Sequence, residues 1–171
     1  MDKLKRKINQ ETVGMYGGKF MPMHKGHLYC LNYASKECDK VYAILFVNGA
    51  DEVRIRKEFP NDPLLTIESR WKQLTSVCKQ FDNVIPIMID VGKCRKPDGT
   101  EDWDMETPLV REYIPNMYRV YSSEPDYDGY FKRAYPEAEH IIIDPDRNGC
   151  HISATMIRAM KTREEKEQWL V

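Results

Sequence analysis

Tyr42-Ala43-Ile44-Leu45-Phe46-Val47 is an unbroken apolar run. A strand with one wet face alternates apolar and polar residues; a strand without that alternation is buried on both faces. Ile141-Ile142-Ile143 has the same character. Runs of this kind belong to parallel sheets covered by helices on either side. The remaining chain supplies both parts. Strands are predicted over Thr12–Gly17, Val41–Val47, Asn83–Ile89, Tyr118–Ser122 and His140–Asp144. Helices are predicted over Lys25–Glu37, Thr66–Gln80, Pro108–Ile114, Tyr127–Ala134, Ala154–Met160 and a short Arg163–Leu170. Alternating β and α units with right-handed crossovers give an α/β fold, a doubly wound (Rossmann-like) parallel sheet flanked by helices. Ligands of such sheets bind outside the strands' carboxyl ends, at the topological switch point.

A chain of 171 residues fits one domain, 1–171, with a sizeable core. The net charge of −1 gives no overall field favouring nucleic acid or an anionic membrane, so neither is expected as a partner. Lys3, Lys5, Arg6 and Lys7 read as a solvated, frayed basic terminus over residues 1–11. The five cysteines are odd in number and scattered without a CxxC. That pattern argues against a disulfide framework and fits reduced thiols in a cytoplasmic protein. No apolar run approaches the roughly 18 residues of a membrane span, and no signal peptide is visible.

The chemistry concentrates between the first strand and the first helix. Gly17-Gly18-Lys19-Phe20-Met21-Pro22-Met23-His24-Lys25-Gly26-His27 hands a buried strand over to a helix. Two glycines keep the backbone free of Cβ atoms near a ligand. Lys19 brings a mobile positive charge, and Pro22 stiffens the entry. His24 and His27, at i and i+3, lie on one helix face, with Gly26 removing bulk between them. A helix start binds phosphate through its free N–H groups and the positive end of its dipole. Histidines there add donors as charge develops. A capped turn with two idle histidines, or a zinc site from His24, His27 and Cys30, uses the same residues. No second ligand cluster follows at zinc-site spacing.

Gly18-x-Phe20-x-Pro22-x-His24-x-Gly26-His27 resembles the HxGH signature of the nucleotidylyltransferase superfamily. Far along the chain, Ile152-Ser153-Ala154-Thr155-Met156-Ile157-Arg158 resembles the ISxTxIR motif of the same superfamily. Read from the residues alone, Ser153 is a good N-cap for a helix beginning at Ala154. Alanine stands at 154 where many relatives have glycine. Tyr121-Ser122-Ser123-Glu124-Pro125 and Asp144-Pro145-Asp146-Arg147, each after a strand, bring the chain close to the nicotinamide-nucleotide adenylyltransferase domain of bacterial NadR-type enzymes. The resemblance runs from about Thr12 to Trp169 and is sparse between Asp51 and Met117. Those enzymes commonly carry a kinase domain as well, for which this chain has no room.

The resemblance implies transfer of AMP from ATP to nicotinamide mononucleotide, giving NAD and pyrophosphate. It implies His27 at the α-phosphate and His24 at the β- and γ-phosphates with Ser153, Thr155 and Arg158. Lys19 neutralises the attacking phosphate or the α-phosphate. Backbone at Gly18, Phe20 and Ile152 touches the nucleotides. Ser122, Ser123, Asp144 and Arg147 line the adenosine side. Magnesium rides on the ATP phosphates, with no protein ligand. Arg70 and Trp103 are substrate-side candidates. Trp103 sits in the long polar segment Val91–Glu106, where it either stacks on the cationic pyridinium ring or anchors the loop against the core. Trp71 reads as core. Relatives often assemble, so a homo-oligomer is an expectation. Rival readings are a phosphopantetheine, flavin or CTP-using sister enzyme, a non-catalytic nucleotide sensor, and a zinc-dependent module.

Overall fold

A computed structural model describes residues 10–171. Most of the basic terminus expected over residues 1–11, including its lysines and arginine, lies outside the described residues. Five strands, β1 (Val13–Gly18), β2 (Lys40–Val47), β3 (Val84–Asp90), β4 (Arg119–Ser122) and β5 (Glu139–Ile142), form one sheet in the order β3-β2-β1-β4-β5. Every pairing is parallel. The chain winds outward from β1 to β2 and β3, then returns to place β4 on the other side of β1. The switch point therefore lies between the carboxyl ends of β1 and β4, where Gly17-Gly18 meets Ser122-Ser123.

The apolar run of β2 behaves as its lack of alternation demands. Val41, Ala43, Leu45 and Val47 pack on one face with Leu31 and Ala34 of α1 (Lys25–Glu37) and Leu74 and Val77 of α3 (Ile67–Cys78). Ile44 faces the other way, into a second core with Met15, Ile87 and Val120. That core is closed by Val110 of α4 (Trp103–Tyr113) and Tyr135, just past α5 (Asp128–Ala134). The run at 141–143 behaves differently. β5 is an edge strand, and Ile142 is 37% exposed while Ile143 is buried.

Two helices depart from expectation. α2 (Ala50–Glu58) was not expected at all. Its sequence, Ala-Asp-Glu-Val-Arg-Ile-Arg-Lys-Glu, has no apolar stripe, and it buries only Ile55 and Glu52. α4 starts at Trp103, not Pro108. The Asp102 carboxylate caps it by accepting the Asp104 N–H at 3.1 Å, which leaves Pro108 inside the helix. The polar segment thus ends at Asp102, with Gly99 (φ +86°) turning it back at the Pro97-Asp98-Gly99 signal. Two short helices follow β5: α6 (Ala154–Ala159), capped by Ser153, and α7 (Arg163–Glu167). Among the described residues, no helix is long and apolar enough to cross a membrane.

Candidate active site at the β1–β4 switch point

A cavity of about 400 Å³ opens at the carboxyl ends of β1 and β4. It is lined by Gly17, Gly18, His24 and His27 of the first turn and by Ser122, Ser123 and Arg147 after β4 and β5. Ser153, Thr155 and Arg158 also line it, as do Glu101, Trp103, Glu106 and Tyr127. Sequence positions as distant as 17 and 158 meet here because the sheet sets β4 beside β1 and β5 next to β4, and the chain after β5 returns to the turn after β1, where Arg158 reaches the Met21 carbonyl.

The two histidines cap α1 reciprocally. The Gly26 N–H donates to His24 Nδ1 at 3.0 Å, and the His24 N–H donates to His27 Nδ1 at 3.1 Å. This is a capping box built from imidazoles. Its consequence is chemical. Each Nδ1 acts as an acceptor, so each neutral ring must carry its proton on Nε2. The rings stack at 3.7 Å between centroids. Burial holds His24 down to about 4, helped by the Arg147 guanidinium. Burial also holds His27 well below the ordinary histidine value, helped by His24 and then Arg147. Both rings are therefore neutral Nε2–H donors at neutral pH.

Gly26 is required by this stack: a Cβ there would lie 2.7 Å from His24 Cε1 and 2.9 Å from Nδ1. Gly17 lines the cavity and also meets a second demand. The space its Cβ would fill is occupied by the Phe46 ring, 2.5 Å from that position. Core packing, as much as ligand approach, demands glycine there. Phe20 adopts φ +49°, rare for an aromatic residue, and lays its ring edge-on against His27 at 4.9 Å.

Other expected residues sort into those at the cavity and those behind it. Lys19 lines the cavity and is paired with Asp51 at 3.1 Å. Arg158 donates to the Met21 carbonyl at 2.8 Å and to Thr155 Oγ1 at 3.3 Å, tying α6 to the histidine turn. Ser122 lies within hydrogen-bond distance of His140 Nε2, 2.7 Å, whose Nδ1 is 3.0 Å from Asp128. Ser123 meets Cys30 Sγ at 3.4 Å, and that buried thiol is thereby already engaged.

Arg70, Asp144 and Ile152 do not line the cavity. Arg70 is 0% exposed and forms an ion pair with the equally buried Glu52. Its guanidinium also donates to the carbonyls of Leu65 at 3.1 Å and Lys19 at 2.9 Å. It holds the turn from behind. The Asp144 carboxylate accepts the N–H groups of Gly149 and Cys150, both at 3.0 Å, and shapes the loop after β5. Ile152 is buried, and its carbonyl accepts Arg147 Nη1 at 3.0 Å, so it aims that arginine.

Trp103 is anchored to its neighbours and stands at the cavity. It opens α4, lines the cavity, and stands edge-on to Tyr127 at 4.9 Å, with its Nε1–H donating to Glu101 at 3.1 Å. Sequence reasoning missed Glu101 and Glu106. Their signal was the acidic run flanking that tryptophan, Glu101-Asp102-Trp103-Asp104-Met105-Glu106. Burial, with Glu101 nearby, raises Glu106 to about 7. Among the described residues, no group of three or more His, Cys, Asp or Glu side chains could hold a metal ion.

Among curated proteins, the chain is 26% identical over 155 residues to the trifunctional NAD biosynthesis/regulator protein NadR of Salmonella typhimurium. That match covers 87% of this chain and 37% of the relative, so the chain spans a little over a third of that protein's length. It is 29% identical to the phosphopantetheine adenylyltransferase of Mycoplasma mycoides, covering 87% of this chain and 96% of that one. A crystal structure of NadR protein in complex with NAD and AMP-PNP shares the fold, with a TM-score of 0.67 and 22% identity over 94% of this chain and 45% of that one. The sequence model of the cytidylyltransferase-like family matches residues 15–160, and this chain belongs to that family.

Proposed function

We propose that this chain is an adenylyltransferase that joins ATP to nicotinamide mononucleotide, yielding NAD and pyrophosphate. The observation that carries the reading is the mixed lining of the switch-point cavity. His24, His27, Arg158 and the Ser153 and Thr155 hydroxyls line it, and so do Trp103 and Tyr127 with the carboxylates Glu101 and Glu106. A polyphosphate suits the first set, and a cationic aromatic ring suits the second.

In this reading an oxygen of the mononucleotide 5′-phosphate attacks the α-phosphorus of ATP. The new P–O bond forms as the bond to the β-phosphate bridging oxygen breaks, and pyrophosphate leaves. No protein nucleophile is needed; catalysis is positioning and charge stabilisation. His27 donates its Nε2–H to the α-phosphate, where charge changes most. His24 holds the outer phosphates with Ser153, Thr155 and Arg158. Lys19 leaves Asp51 to meet the attacking phosphate. Ser122, Ser123 and Arg147 sit on the adenosine side. Magnesium enters with ATP on its phosphate oxygens.

A second reading, phosphopantetheine as acceptor, is favoured by the Mycoplasma relative, whose length this chain nearly fills. The acid-flanked tryptophan speaks against it, because a pantetheine arm carries no cationic ring. Incubating the purified protein with ATP, magnesium and each acceptor in turn decides. NAD and pyrophosphate from nicotinamide mononucleotide are expected; dephospho-coenzyme A instead of NAD refutes the reading.

A further inference from the structure

We propose that Glu106, with Glu101 beside it, makes the Trp103 end of the cavity selective for a pyridine mononucleotide bearing an uncharged carboxamide, and rejects its ring-carboxylate counterpart. This rests on the adenylyl-transfer reading above. Glu106 projects from the first turn of α4 into the cavity and is only 8% exposed. It makes no hydrogen bond or ion pair with any described residue. Its carboxyl opens on the cavity from a largely buried side chain, with no protein partner, and such a group persists where a ligand supplies the missing contact.

The surroundings specify that ligand. Glu101 is held beside Trp103, its Oε2 accepting the indole N–H at 3.1 Å and its Oε1 accepting the Asp51 N–H at 3.3 Å. Of the cations acting on Glu106, Lys19 is held by Asp51 and in the adenylyl-transfer reading moves from it to the mononucleotide phosphate, and Arg95 donates to the carbonyls of Asn48, Val91 and Cys94. With Glu106 ionised, above its raised value of about 7, a negative ring substituent would meet two carboxylates and, among the described cations acting on Glu106, none that is free. A pyridinium with a carboxamide fits instead. Its ring charge is attracted to both acids and to the indole face, and its amide N–H groups give Glu106 the donor it lacks. The amide satisfies Glu106 whether that side chain is ionised or protonated, since a carboxyl oxygen accepts in either form.

The test compares nicotinamide mononucleotide with nicotinate mononucleotide as acceptors for wild type and Glu106→Gln at pH 8.5, where Glu106 is ionised. Wild type should favour the carboxamide by about a hundredfold or more in kcat/KM, as expected for like charges brought together. Glu106→Gln should lower that preference at least about tenfold, by improving use of the nicotinate substrate, because its amide donates to a carboxylate. A gained activity cannot come from misfolding. Calorimetric binding of each mononucleotide to the wild type gives a second readout that needs no variant, with the same preference expected. Equal use or equal binding of the two by wild type overturns the proposal, as does an unchanged preference in Glu106→Gln. Adenylylation of neither compound, with another acceptor accepted, overturns the underlying reading and this proposal with it.

Discussion

Replacing His24 by asparagine tests the histidine capping box through its proton. Asparagine is a favoured N-cap whose side-chain oxygen can accept the Gly26 N–H, and it does not titrate. In wild type, burial and Arg147 keep His24 neutral down to about 4. Unfolded, it takes a proton at an ordinary value near 6.5. Between those two values the unfolded chain binds more protons, so stability falls as pH falls. The penalty is absent above 6.5, grows across the window and levels off below 4. At pH 4.5 it amounts to about 2.5 kcal/mol. Protonation at Nδ1 also turns the cap's acceptor into a donor facing the Gly26 N–H. Urea unfolding of both proteins at pH 7.5 and 4.5 gives their stability difference at each pH. That difference should move by about 2.5 kcal/mol in favour of the variant on acidification. His27 stays in both proteins, so its own titration largely cancels. A difference unchanged with pH would show that His24 is not held neutral, and the assignment of its proton to Nε2 would fall with it.

Arg70→Met should destabilise the protein by about 3–5 kcal/mol, because it leaves the buried Glu52 carboxylate unpaired. Adding Glu52→Gln should recover part of that loss, whereas a ligand-contacting Arg70 would raise KM and leave unfolding unchanged. Gly26→Ala forces the His24 ring off its stack and should lower kcat on the order of a hundredfold, the effect of misplacing a donor to developing charge; turnover near wild type would show that the stack is incidental. Trp103→Ala should raise the KM for the pyridine mononucleotide about threefold to thirtyfold, the worth of a cation–π contact, with little change for ATP. Equal effects on both substrates would make Trp103 a packing residue.

How much of this was legible in sequence depends on which physical signal each residue carries. β2 announces itself because burial on both faces leaves no polar position in the strand. Ser153 is legible because capping is local: its hydroxyl accepts the Met156 N–H at 3.2 Å, three residues away. α2 is illegible because the six charged residues among its nine leave no apolar period to read, and it is held by the Glu52–Arg70 pair instead. Arg70 misleads for the same reason. An arginine near a site is expected to face the ligand, and only the fold reveals that a buried glutamate from another helix has claimed it. Asp144 misleads because the N–H groups it accepts come from its own loop, which sequence spacing alone does not place. Pro108 predicts a helix start by its preference for the first turn, but the Asp102 cap nucleates the helix earlier.

The histidine turn is held in place from outside itself, which explains why it tolerates a strained Phe20. Arg70 of α3 fixes the Lys19 carbonyl, and Arg158 of α6 fixes the Met21 carbonyl. Beyond α7, the Trp169 carbonyl accepts the Lys25 N–H at 2.9 Å, and Leu170 bridges His24 in antiparallel fashion. Residues 19 to 25 are thus clamped by three elements that follow them in the chain by tens of residues. A left-handed aromatic residue persists only where its surroundings over-determine it. A site that works by positioning needs such clamping, since a displacement of about 1 Å can lower a rate about a hundredfold. The two distant motifs therefore do more than line one cavity. Arg158, expected at the phosphates, holds the backbone of the turn that carries His24 and His27, so the Ser153–Arg158 segment fixes that turn as well as lining the cavity beside it.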